Sequence, residues 1–252
     1  MEYFWKQQDD IPYGMGYPLF GKVHLLSISI TFMLIILLLV IITRWDNHTQ
    51  RKVQKAIPIG MLILEGFKDL FLVAVGRFGI GYLPLHVCSI GIFVFLLREY
   101  LPWKWSRDYF GEVAYVLIMP ASIAALLFAD WTIYYPALNF MNLYSYIWHG
   151  LLVLYPVLLR RTGQITLDVR HMHWVLLFLC LVVPPVYIID KIFGCNYFFV
   201  NWPVPGSPLQ WLAGYMGNPG YLIGYAILTI LVMLFVYLCV GIISKFFERR
   251  RE

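Results

Sequence analysis

The sequence predicts an all-α polytopic membrane protein with seven transmembrane helices, its N-terminus outside and its C-terminus in the cytoplasm. Three observations carry this. Hydrophobic residues make up 61% of the 252 positions and charged residues only 13%, against about 25% charged in soluble domains. The apolar residues gather in runs long enough to span a bilayer, which takes about 20 residues. Lysine and arginine alternate in density from one connection to the next.

The expected helices cover roughly 21–43, 56–76, 82–98, 110–129, 139–159, 171–193 and 219–244. The first, from Leu25 to Ile42, and the last, from Tyr221 to Ile243, are the most apolar. The second contains Glu65, Lys68 and Asp69. The third is short and holds Pro84 near its start, a residue suited to a first helical turn. Basic residues then set the orientation. The connections after helices one, three and five, with the C-terminal tail, carry fourteen lysines and arginines: Arg44, Arg51, Lys52 and Lys55; Arg98, Lys104 and Arg107; Arg160, Arg161 and Arg170; Lys245 and Arg249 to Arg251. The opposite side carries four: Lys6, Lys22, Arg77 and Lys191. The dense side is cytoplasmic by the positive-inside rule. The net charge of +5 therefore reads as orientation, not as affinity for nucleic acid.

The chain forms one membrane domain over residues 1–252. Residues 194–218 are rich in proline, glycine and aromatics and nearly uncharged, so they are expected to cap the outer face. The first apolar run lacks a cleavage site and is too long for a signal-peptide core. Cys88, Cys180, Cys195 and Cys239 form no CxxC pair, which argues against a disulfide framework or structural zinc.

Ionisable groups in a bilayer core are costly and usually face the bundle interior. Glu65, Lys68 and Asp69 share one helical face by their i, i+3, i+4 spacing. Asn142, Ser145 and His149 share another, which serves equally as an interhelical hydrogen-bonding stripe. On a regular helix His86 and Cys88 point about 200° apart, so a base for Cys88 must come from another helix. At about 1.5 Å per residue, Asp69 and Cys88 lie roughly 10 Å below the outer boundary, and Glu65 and His149 roughly 15 Å. Polar groups of three helices thus converge on one layer, overlooked by His24. The pair His171 and His173 is read as an interface anchor.

These residues carry a family resemblance. The runs Leu64-Glu65-Gly66-Phe67-Lys68, Pro84-Leu85-His86-Val87-Cys88-Ser89 and Tyr146-Ile147-Trp148-His149, continued through Tyr155-Pro156 to Leu159-Arg160-Arg161, resemble the YwaF-type bacterial integral membrane proteins. They are more distantly similar to the eukaryotic transmembrane protein 164. Asn196-Tyr197 fits the bacterial members. The resemblance implies a seven-helix membrane fold, a bacterial plasma-membrane location and, through the eukaryotic relative, a cysteine-dependent acyltransferase that remodels ether phospholipids. In that relative the cysteine immediately precedes the histidine aligned with His86. Leu85 stands there in this chain, and Cys88 lies one turn deeper on nearly the same face.

Three chemistries are expected to compete. In acyl transfer or acyl hydrolysis, Cys88 is the nucleophile, His149 the base, and His86 or Asn142 the oxyanion donor or orienting group. Glu65, Lys68, Asp69, Asn142 and Asn196 are then candidates for holding the substrate. A metal-dependent hydrolase would draw ligands from His24, His86 and His149 with Glu65 or Asp69, although no helix carries an HxxxH pair and Lys68 repels a cation. A transporter or sensor would use the same buried charges without chemistry. The favoured reading has no cofactor and no metal, with membrane lipids as partners and no nucleic acid.

Overall fold

The computed structural model describes residues 2–248, with side chains through Ser244. The basic tail residues Lys245 and Arg249 to Arg251 lie outside the described side chains. The architecture is all-helical: α1 (Lys22–Ile42), α2 (Asn47–Ala74), α3 (Val87–Tyr100), α4 (Lys104–Val113), α5 (Met119–Leu127), α6 (Phe140–Arg161), α7 (Met172–Phe193), α8 (Pro208–Met216) and α9 (Tyr221–Glu248). A π-helical turn, Ala114–Ile118, joins α4 to α5 in one rod. Among the described residues, four stretches are long and apolar enough to cross a membrane: Lys22–Ile42, Lys104–Ile133, Val169–Phe193 and Tyr221–Ser244.

Each of the seven expected intervals overlaps a helix, but three starts shift, among them α4, which begins at Lys104 rather than 110. Helix α2 begins nine residues before the expected 56, because Asp46 caps it by accepting from the amides of His48 and Thr49. Arg51, Lys52 and Lys55 therefore ride on the helix rather than in a loop. Helix α3 begins at Val87, later than the expected 82, and Pro84 lies in the connection before it. His86 is its N-cap, with extended backbone at φ −66° and ψ 150°. The 100° rule thus does not place His86 against Cys88 or Ser89.

Two ends of the bundle differ in character. At one, the cap end, residues 2–21 form a strap across the helix termini. Asn139 donates to the carbonyls of Tyr3 and Lys6 at 2.7 and 2.8 Å, and Gln7 donates to Tyr82 Oη at 2.7 Å. Trp5 packs among Phe67, Phe71 and Phe140. The Tyr17 amide bonds the Thr132 carbonyl at 2.8 Å, an approach that Gly16 permits: a Cβ there would lie 2.3 Å from the Ile133 oxygen. The sequence reading treated this segment only as an outside tail. Residues 194–218 also sit at the cap end. They contain a 3-10 turn, Tyr197–Phe199, and the short helix α8, whose Trp211 and Tyr215 are exposed.

Candidate functional site

The site is built on a close approach of three helices. Gly91 of α3 meets Leu152 of α6 and Ile118 of the π-turn. A Cβ at Gly91 would fall 2.6 Å from Leu152 Cδ2 and 3.1 Å from Ile118 Cγ2. Further along, Phe95 packs against Tyr155 with ring centroids 4.1 Å apart, and Tyr155 Oη donates to Glu99 at 2.6 Å. Rising numbers on α3 thus meet rising numbers on α6, so these helices run parallel. Helix α5 runs the other way, since Ile118 faces Gly91 and Ser122 faces Cys88. Cys88 lies three residues before Gly91, His149 three before Leu152, and Ser122 four after Ile118. All three therefore stand about 5 Å toward the cap end of one contact.

Ser122 is fully buried, and its hydroxyl donates to the Ile118 carbonyl at 2.8 Å. Its Oγ is also 3.9 Å from Cys88 Sγ. His149 Nδ1 lies 2.7 Å from the Ser145 carbonyl oxygen. A carbonyl only accepts, so Nδ1 carries the hydrogen and Nε2 keeps a free lone pair. Among the described residues no side chain or amide bonds Nε2. The imidazole lies flat against Trp131, with centroids 5.2 Å apart and planes within 4°.

Glu65 and Lys68 meet as their spacing requires. Lys68 Nζ donates to Glu65 Oε1 at 2.7 Å, and both side chains are under 10% exposed. Nζ also reaches the Tyr82 carbonyl at 3.4 Å and contacts Asp69 Oδ1 at 3.1 Å, the latter without hydrogen-bond alignment. The other Glu65 oxygen accepts from Tyr144 Oη. Tyr144 was missed by sequence reasoning. The available signal was a tyrosine inside an apolar helix, whose hydroxyl needs a partner. Tyr144 and Cys88 pack into the same core, so the Glu65 cluster borders the Cys88 layer.

Other expected residues have different surroundings. Both ends of the Asn142 amide are engaged, its oxygen by Tyr17 Oη at 2.9 Å and its nitrogen by the Ala137 carbonyl at 2.8 Å. Asn196 closes the cap loop on itself, accepting from the amides of Asn201 and Trp202 and donating to the Trp202 carbonyl. His24 uses both ring nitrogens, on the Phe20 amide and the Leu126 carbonyl. His86 packs edge-on to Tyr197 and lines a cleft of about 460 Å³ at the cap end, together with Asp130 and Asn196.

A second polar cluster, at the opposite end, was not foreseen. Arg98, counted above among loop charges, is 1% exposed. It pairs with Glu99 and donates to the Gln164 carbonyl at 3.0 Å. Glu99 also accepts from Arg51 at 3.2 Å, and Arg51 bonds Gln54, which bonds Thr162. Nearby, Glu112 accepts from Tyr237 at 2.7 Å and lies 3.7 Å from His171 Nδ1. Buried apolar side chains separate this cluster from the cap-end site: Met61, Ile92, Phe95, Ile118 and Leu152.

These features define an integral membrane protein whose helix bundle encloses a polar site with a thiol, a hydroxyl and an imidazole at one level. Residues 19–237 match the TMEM164 family, and the chain belongs to that family. No curated protein and no solved structure matches it.

Proposed function

We propose that this TMEM164-family protein is a thiol-dependent acyltransferase of membrane lipids, worked by Cys88 and His149 from the outer half of the bilayer. The observation that carries the reading is the shared level of Cys88, Ser122 and His149 above the Gly91–Leu152–Ile118 contact, with His149 held as the Nδ1–H tautomer. The resemblance of its motifs to YwaF-type proteins supports reading it as a bacterial member in a plasma membrane. The alternation of basic residues supports seven spans with the N-terminus outside, so that the cap end and its cleft face outward. Reporter fusions after Lys55, Arg107 and Arg161 should all read cytoplasmic; one external reading ends this topology.

The proposed chemistry is acyl transfer through a thioester. His149 Nε2 takes the proton of the Cys88 thiol as Sγ attacks the carbonyl carbon of a lipid ester. The carbonyl π pair moves to oxygen, then returns as the C–O bond to the glycerol oxygen breaks. That oxygen leaves with the proton from His149, and Cys88 holds a thioester. The hydroxyl of a second, deacylated lipid repeats the sequence: His149 takes its proton, the new ester forms, and the thiol is regenerated. Water in place of that hydroxyl gives hydrolysis. The cleft at His86 and Asp130 supplies an approach from the cap end. Lys68, paired with Glu65 and Asp69, reaches the carbonyl of Tyr82, the residue after Gly81 of the cleft lining.

Transport is the second reading, and the apolar layer between the two polar clusters counts against it, since a conducting path needs continuous polar or hydrated contacts. The metal reading loses His24, whose ring nitrogens are both bonded to backbone. The deciding experiment incubates the purified protein in vesicles with a labelled phospholipid and an unlabelled lysophospholipid. Label should move between them, and Cys88→Ala and His149→Ala should each abolish the movement. Undiminished transfer by Cys88→Ala overturns the proposal.

A further inference from the structure

We propose that the indole N–H of Trp131 is the hydrogen-bond donor for the acyl carbonyl oxygen in the transfer described above, an inference that rests on that reading. Trp131 belongs to the 3-10 turn Asp130–Ile133, which follows α5. Its Nε1 is buried and has no hydrogen-bond partner among the described residues. A buried donor without an acceptor is destabilising, and native proteins leave few of them. This one belongs to the ring that lies face to face with His149 and edge-on to Tyr146. The residue before it, Asp130, lines the cleft.

Several neighbouring side-chain donors already have acceptors, whereas His86 lies in the cleft lining on the Tyr197 side. Tyr144 and Lys68 donate to Glu65, the Asn142 amide to Ala137 and Ser122 to Ile118. Asn142, one expected oxyanion donor, is held by Tyr17 and the Ala137 carbonyl with one of its two N–H groups used, whereas the single indole N–H has no acceptor among the described residues. When Cys88 Sγ adds to the ester carbonyl, negative charge collects on the oxygen. The indole N–H bonds that oxygen and keeps its own proton throughout. As the C–O bond to the leaving oxygen breaks, the pair returns to the carbonyl and the bond weakens. A donor fixed by stacking needs no reorganisation in the transition state, which is where such donors contribute most.

Two variants delete the N–H. Trp131→Phe keeps an aromatic ring, and benzothienylalanine at position 131 keeps the full bicyclic shape with sulfur in place of N–H. Each is compared with the unaltered full-length protein in two reactions of Cys88. Acylation by a p-nitrophenyl acyl ester passes through an oxyanion; alkylation by iodoacetamide does not. Both variants should slow acylation about 10²–10³-fold, mainly in kcat, and leave alkylation unchanged. Thermal stability of the benzothienyl variant should not fall, because the deleted group satisfied no partner. Unchanged acylation in the benzothienyl variant, or an equal loss in both reactions, overturns the assignment of Trp131 alone. If the unaltered protein shows no Cys88-dependent acylation, the acyl-transfer reading falls, and this inference with it.

Discussion

Ser122 Oγ lies 3.9 Å from Cys88 Sγ while its hydroxyl bonds the Ile118 carbonyl at 2.8 Å. A hydroxyl has one proton to give, so it serves the helix until a thiolate forms beside it. Rotation about χ1 then offers the proton to sulfur. A hydrogen bond to a charged group contributes about 1.5–3 kcal/mol. Ser122→Ala should therefore slow iodoacetamide labelling of Cys88 at least about tenfold at fixed pH, with Ser122→Thr recovering most of it. Thermal unfolding of each variant is the folding control: an equal loss of labelling and of stability would point to misfolding.

Glu65 accepts from both Lys68 and Tyr144, so each partner's removal leaves a different defect. Lys68→Met leaves a buried carboxylate without its cation and should cost about 3–5 kcal/mol. Tyr144→Phe removes one neutral donor and should cost about 1–3 kcal/mol. The double change Glu65→Gln with Lys68→Met should recover much of the Lys68→Met loss. Thermal unfolding measures all three. Recovered stability without recovered acyl transfer would place the pair in the working site.

At the opposite end, Glu99 is the hub for Arg98, Arg51 and Tyr155. Glu99→Gln strands two guanidinium groups and should rank among the most destabilising single changes, about 3–5 kcal/mol. Because the apolar layer separates this cluster from Cys88, iodoacetamide labelling of the folded fraction should be unaffected. A matching loss of labelling in that fraction would mean the two clusters are coupled.

The strap is held to the end of α2 by Arg77, which bonds Asp10 at 2.7 Å and contacts Asp9 at 3.5 Å. The Arg77 hydrogen bond holds the Asp10 carboxyl below its ordinary 3.8. With the folded value depressed, the contact's stabilisation is complete above the unfolded value and is lost as pH falls through the folded one. Hydrogen exchange at the Asp10 and Ile11 amides should accelerate below about pH 4. Arg77→Gln should show the faster exchange already at pH 6 and no such acid step. An acid step that persists in Arg77→Gln would assign the titration to another carboxylate.

Helix placement was legible because hydropathy is a local property. The apolar runs at 139–159 and 171–193 match α6 and α7 within two residues at each end. Helix starts set by capping were less legible: Asp46 extends α2 through a polar stretch that hydropathy reads as loop. The Glu65–Lys68 contact was readable, since both residues share one helical turn. Tyr144 was not, since its partner is 79 residues away.

The sequence alone determined the class of protein, the helical intervals and the intrahelical polar faces, because composition and periodicity of 3.6 act within one segment. Only the tertiary structure decided that Ser122 stands at Cys88, that Asn142 and His24 spend their polar groups on backbone and strap, and that Trp131 covers His149 with its own N–H unpaired. Those outcomes depend on which helices touch at Gly91 and on how each side chain's few hydrogen bonds are shared among groups distant in the chain. No local pattern encodes that choice.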